Sequence, residues 1–107
     1  MRTSSITPLI DEAGERLTVA LTGPFDFNVH RRFKQVITET KARFFVVDLT
    51  GIDYIDSAGL GMILQLKEHA TTRGGKLSVI ALTGGPVRHV LELAHFDQLV
   101  EIVEPEK

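Results

Sequence analysis

At 107 residues, 43% of them hydrophobic and 24% charged, the chain has the length and balance of one globular domain able to bury its own core. A net charge of −2, spread over interspersed acidic and basic residues, argues against a nucleic-acid binder, which carries a basic excess. The absence of cysteine removes disulfide frameworks, thiolate metal sites and thiol nucleophiles, and fits a reducing compartment.

The chain opens on Met1-Arg2-Thr3-Ser4-Ser5, too polar for a signal peptide. No apolar run approaches the ~18 residues a membrane span needs. A cytoplasmic location is therefore expected, with neither membrane nor nucleic acid as a partner. Residues 6–10 form a strand candidate. Pro8 has no amide to donate, which puts this strand at a sheet edge. Glu12-Ala13-Gly14-Glu15 reads as a hairpin turn. Leu17, Val19 and Leu21 then alternate with Thr18, Ala20 and Thr22, the period of a strand with one buried face. Gly23 and Pro24 are expected to stop it.

Val29, Phe33, Val36, Ile37 and Thr40 follow at spacings of 4, 3, 1 and 3, one stripe of a helix that Asp26 or Asn28 could cap. The basic cluster Arg31, Arg32 and Lys34 falls in this helix and reads as its solvated face. Residues 44–49 are nearly all apolar, which suggests a strand covered on both faces. After a connection over residues 50–56, a long helix begins at Ser57 and runs to the stop at Gly74-Gly75. Residues 77–82 make another short strand. Gly84-Gly85-Pro86 starts a third helix, whose apolar stripe is Val87, Val90, Leu91 and Ala94. Residues 99–103 form the last strand. The order is β-β-α-β-α-β-α-β, an α/β sandwich with a mostly parallel sheet of four or five strands and an antiparallel hairpin at its start. No linker or internal repeat divides residues 1–107, so one domain is expected.

One segment carries unusual chemistry. Ile52-Asp53-Tyr54-Ile55-Asp56-Ser57-Ala58-Gly59-Leu60-Gly61 joins a strand to a helix, where α/β folds place their sites. Asp56 or Ser57 stands where a helix N-cap is wanted. Gly59 and Gly61 each cost about 0.8–1 kcal/mol in helix propensity relative to alanine, so something should approach the backbone closely there. On that reading a larger residue at Gly59 blocks a partner and leaves the fold intact. The plain alternative is an ordinary cap followed by glycines that let the helix pack tightly on the sheet, and spacing does not choose between the two. The helix start favours negative charge, so a phosphate on Ser57 can be held there. There is no GxGxxG, no Gly-Lys-Ser/Thr and no GxSxG.

Taken together, these residues resemble the STAS domain, the fold of bacterial anti-sigma factor antagonists. Leu21-Thr22-Gly23-Pro24-Phe25-Asp26 is similar to the family's strand-end segment. Val46-Val47-Asp48-Leu49 followed by Ile55-Asp56-Ser57-Ala58-Gly59-Leu60-Gly61 is similar to its central signature. Gly74-Gly75-Lys76-Leu77 matches the turn before the fourth strand, and residues 87–96 resemble the helix after it. The resemblance implies partner switching in transcription regulation. In the unphosphorylated form such a protein binds an anti-sigma factor that is also a serine kinase. Phosphorylation releases that partner, and a phosphatase resets the cycle. By position the phosphorylated residue is Ser57. Asp26, Asp56, Ala58, Gly59 and Leu60 support the site or meet the partner, with Asp26 on the adjacent loop. Many members continue into a fourth helix, whereas this chain ends at Glu104-Pro105-Glu106-Lys107, so that helix is expected to be missing. In this and in Phe25-Asp26-Phe27 it looks like the shorter members linked to response regulators. Pro24 and Phe25 replace commoner acidic and leucine residues, which bears on the identity of the kinase. A monomer or weak dimer is expected.

The remaining polar residues suggest no enzyme, no metal site and no cofactor. His30, His69, His89 and His95 include no pair at i,i+4 spacing. Asp48, inside the apolar run, needs a partner, and a bond to the loop carrying Asp56 and Ser57 is expected. Tyr54 fits either core or rim. A small-ligand or nucleotide sensor would need cations near the glycines, and no Arg or Lys lies between Phe45 and Leu66. A docking subunit that does not switch, as in a lipid-transport complex, is the main alternative. Such members commonly lack the serine present here as Ser57.

Overall fold

The computed structural model describes residues 3–105. Strand β1 (Ser5–Ile10) pairs antiparallel with β2 (Arg16–Phe25). Asp11 holds the turn between them, its Oδ1 accepting from the Glu15 and Arg16 amides at 2.9 and 3.1 Å. A 3-10 turn (Phe27–Val29) leads into helix α1 (His30–Thr38). Then come β3 (Phe44–Ile55), α2 (Ser57–Thr72), β4 (Lys76–Ile80), α3 (Pro86–Leu93), a second 3-10 turn (Phe96–Gln98) and β5 (Glu101–Val103). The sheet order is β1-β2-β3-β4-β5, parallel except for the first pair. The expected α/β topology with five strands and an N-terminal hairpin is thus observed. Pro8 lies on the edge strand, where its missing amide breaks no inner ladder. Pro86 takes the first position of α3. Among the described residues no helix follows β5.

Each crossover moves one strand further in the same direction. Right-handed crossovers of that kind bring all three helices to one face of the sheet. Burial follows: Leu17, Val19 and Leu21 of β2, Phe45, Val47 and Leu49 of β3, and Leu77 and Val79 of β4 are buried. They form one core with Phe33 and Ile37 of α1, Ile63 and Leu66 of α2, and Leu91 of α3.

This arrangement corrects several expectations. Residues 44–49 are not covered on both faces. Phe45, Val47 and Leu49 are buried, but Phe44, Val46 and Asp48 point to the helix-free face and are half-buried. There the Arg43 guanidinium lies 5.3 Å from the Phe44 ring centroid. Nor do Gly23 and Pro24 stop β2. It continues to Phe25, and most of the expected connection over residues 50–56 is the far half of β3, with Thr22 opposite Gly51 and Phe25 opposite Ile55. Around Pro24, which has no amide to donate, the ladder slips register on both sides of Thr22 and Gly23. At the other end, β5 begins at Glu101 because the second 3-10 turn occupies the chain before it.

Candidate functional site

The extension of β2 and β3 brings two strand ends level, since Phe25 and Ile55 are register partners. The next residue on each strand is an aspartate in extended conformation, and each caps a helical turn. Asp56 is the N-cap of α2: its Oδ1 accepts from the Gly59 amide at 3.0 Å, and its carbonyl accepts from the Leu60 amide at 3.0 Å. Asp26 accepts from the Asn28 amide at 2.9 Å and so caps the 3-10 turn, while α1 itself has no side-chain cap. The choice between Asp56 and Ser57 is thereby decided, with Ser57 as the first residue of α2.

Ser57 is exposed, whereas Asp26, Asp56, Ala58 and Leu60 are half-buried. The Asp56 carboxylate occupies one of the first-turn amides. The amides of Ser57 and Ala58 precede any intrahelical partner and remain open to an acceptor. The backbone at the start of α2 therefore favours negative charge on or beside the Ser57 hydroxyl.

The two glycines differ. Gly59 is buried, and a Cβ there would lie 2.5 Å from the Phe25 carbonyl oxygen and 2.8 Å from Ile55 Cγ1. The close approach expected at this glycine comes from the chain's own β2 end. The expectation that a larger residue at Gly59 leaves the fold intact is therefore overturned. A Cβ on Gly61 would meet nothing within 4 Å.

Asp48 does not bond the loop carrying Asp56 and Ser57. Its Oδ1 accepts from the Thr50 amide at 2.9 Å and from the Thr50 hydroxyl at 2.7 Å, a local arrangement on the helix-free face. Partial exposure of that face explains how β3 tolerates the carboxylate. Tyr54 belongs to the rim, with 49% of its surface exposed, and Phe27 is 72% exposed and stacked on His30. Pro24, Asp26, Tyr54 and Arg32 line a shallow groove of about 670 Å³ beside the two caps. By helical spacing alone Arg32 belongs to a solvated face. In the first turn of α1, directly after the 3-10 turn, this arginine shares a groove with Asp26, and nothing in the spacing of the sequence signals that. Phe27 was legible only as part of Phe25-Asp26-Phe27, in which Phe25 is fully buried and Phe27 points outward.

Among the described residues no three His, Asp or Glu side chains gather as metal ligands, and no helix is long and apolar enough to cross a membrane.

Comparison with known proteins places these features in a wider set. A family model described as "Mlab, STAS domain" matches residues 9–103. A STAS-domain containing protein of Pseudomonas aeruginosa (strain UCBPP-PA14) is 36% identical over 100 residues, covering 92% of this chain and 98% of that protein. Among solved structures, an anti-sigma factor antagonist from Mycobacterium paratuberculosis superposes with a TM-score of 0.75 at 21% identity, covering 94% of this chain and 87% of that one. The Bacillus cell fate determinant SpoIIAA in its phosphorylated form superposes with a TM-score of 0.66 at 15% identity, covering 96% and 93%. At these identities the likeness of the two structures is one of fold.

Proposed function

This chain belongs to the STAS domain family, and from that premise we propose that it is an anti-sigma factor antagonist acting by partner switching. The unphosphorylated form binds an anti-sigma factor that is also a serine kinase. Phosphorylation of Ser57 releases it, and a phosphatase restores the binding form. The chain is the substrate of that chemistry and catalyses none of it. This assignment keeps it in the cytoplasm, where sigma factors act.

The observation that carries the reading is the placement of Ser57, exposed at the first position of α2 directly after its capping aspartate. A phosphate adds about −1.5 to −2 charges at neutral pH. The open amides and the helix dipole offset that charge within the domain, by about 0.3–1 kcal/mol. Across a docking surface the balance differs, because Asp26 and Asp56 flank Ser57 and the single charge of Arg32 in the adjoining groove offsets only part of the added charge. Phosphorylation then weakens binding without unfolding the protein. Fold likeness to an anti-sigma factor antagonist and to a protein solved in a phosphorylated form supports the reading.

Phosphopeptide mapping after incubation with the cognate kinase and ATP tests it. The phosphate is expected on Ser57, and a phosphate on any other residue contradicts the proposal.

A further inference from the structure

Away from Ser57, α1 and α2 enclose an apolar pocket of about 120 Å³. Its floor is Phe33, Ile37, Met62 and Leu66, all buried. Its ionisable lining is His30, Lys34 and His69, all basic, with no carboxylate among the described lining residues. The Lys34 ammonium beside an apolar floor, with no carboxylate facing it in that lining, matches an anion with a hydrocarbon body. The volume compares with the about 150 Å³ of an engineered apolar cavity that admits benzene.

His69 supplies the second observation. Its Nε2 is buried and has no hydrogen-bond partner among the described residues. Its ring packs edge-on against Phe45, with centroids 5.8 Å apart. Burial, and then the nearby Arg73 guanidinium, hold the imidazole below its ordinary pKa, so the ring is neutral near pH 7. A buried polar atom left unpaired is unfavourable. A ligand oxygen reaches this nitrogen only once the imidazole turns toward the pocket that it lines, and the Lys34 ammonium, on an exposed residue of the lining, would meet the ligand's charge.

We propose that the pocket between α1 and α2 binds a small organic monocarboxylate with a compact branched or aromatic body, its carboxylate directed to Lys34 and His69. The pocket begins beyond the first turn of α2, and binding there does not depend on the role of Ser57.

The test is a titration of the full chain, followed by NMR of its methyl groups and ring protons. Isovalerate and benzoate serve as probes, with isovaleramide and benzamide as neutral counterparts. Saturable shifts are expected at Met62, Leu66, Ile37 and His69, with a Kd at or below about 1 mM, within reach of ligands this small. The acids should bind at least tenfold more tightly than the amides. Lys34→Gln, a surface change, should weaken the acids severalfold and leave the amides and the melting temperature unaltered. Absence of saturable shifts at about 10 mM probe, shifts centred away from the pocket, or equal binding of acid and amide would each overturn the proposal.

Discussion

The carbonyl oxygen of Phe25 lies 2.5 Å from the position a Cβ would take on Gly59. That approach ties the end of β2 to the first turn of α2, and with them the caps Asp26 and Asp56 that flank Ser57. Backbone meets backbone, so neither side can yield by a rotamer change.

Gly59→Ala should therefore destabilise the fold by about 1–3 kcal/mol, the usual cost of overpacking. Gly61→Ala, with open space around the added methyl, should be neutral or stabilising by up to about 1 kcal/mol through helix propensity. Thermal unfolding of the two variants beside the parent checks the pair. Equal melting temperatures for both would remove the packing explanation.

The N-cap is the second joint. Asp56→Ala removes the acceptor for the Gly59 amide and should cost about 0.5–2 kcal/mol, while Asp56→Asn, which still caps, should cost much less. Urea denaturation measures both. An alanine variant as stable as the asparagine variant would mean the cap contributes nothing.

Periodicity revealed most of the framework because core burial leaves a period in the sequence. Leu17, Val19 and Leu21 were readable as one strand face, and Val29, Phe33 and Ile37 as one helix stripe. Two things were not readable. A continuous apolar run such as residues 44–49 looks alike whether one or both faces are covered, and only the crossover direction decides it. Pro24 reads locally as a strand stop, yet the strand passes through it in slipped register, and no local signal encodes that slip. Within the candidate site, Asp56 and Ser57 stood out because capping chemistry is local. Arg32 and Phe27 did not, because their nearness to the caps depends on a 3-10 turn that the helical period hides.

The rim beside the caps offers two exposed aromatic side chains, Phe27 and Tyr54. Aromatic anchors of this kind dominate interfaces. Phe27→Ala should weaken binding of the proposed anti-sigma partner at least tenfold, about 1.4 kcal/mol. Its stability should stay within about 0.5 kcal/mol of the parent, as for other surface changes. Calorimetric titration together with thermal unfolding separates these effects, and unchanged affinity would place the contact elsewhere.

Stability should also depend on His69. Its folded pKa lies below the ordinary 6.5, first through burial and then through Arg73. Below pH 6.5 the unfolded chain takes up the proton more readily than the folded one, so stability falls as the pH drops and recovers as it rises. A further loss belongs below about pH 3.8, where protonation of Asp11 weakens its bonds to the Arg16 and Glu15 amides. Denaturant midpoints between pH 7 and pH 5 should decline less in His69→Gln than in the parent. Identical profiles would exclude His69 as the source.

The central claim is that charge on Ser57 acts on binding and leaves folding alone. The most direct measurement is the affinity of Ser57→Asp and Ser57→Ala for the proposed anti-sigma factor kinase, taken with their melting temperatures. The account predicts that Ser57→Asp melts close to the parent yet binds at least tenfold more weakly, about 1.4 kcal/mol. Ser57→Ala should bind as the parent does and accept no phosphate. Ser57→Asp binding as tightly as the parent would contradict the account and leave a docking protein that does not switch.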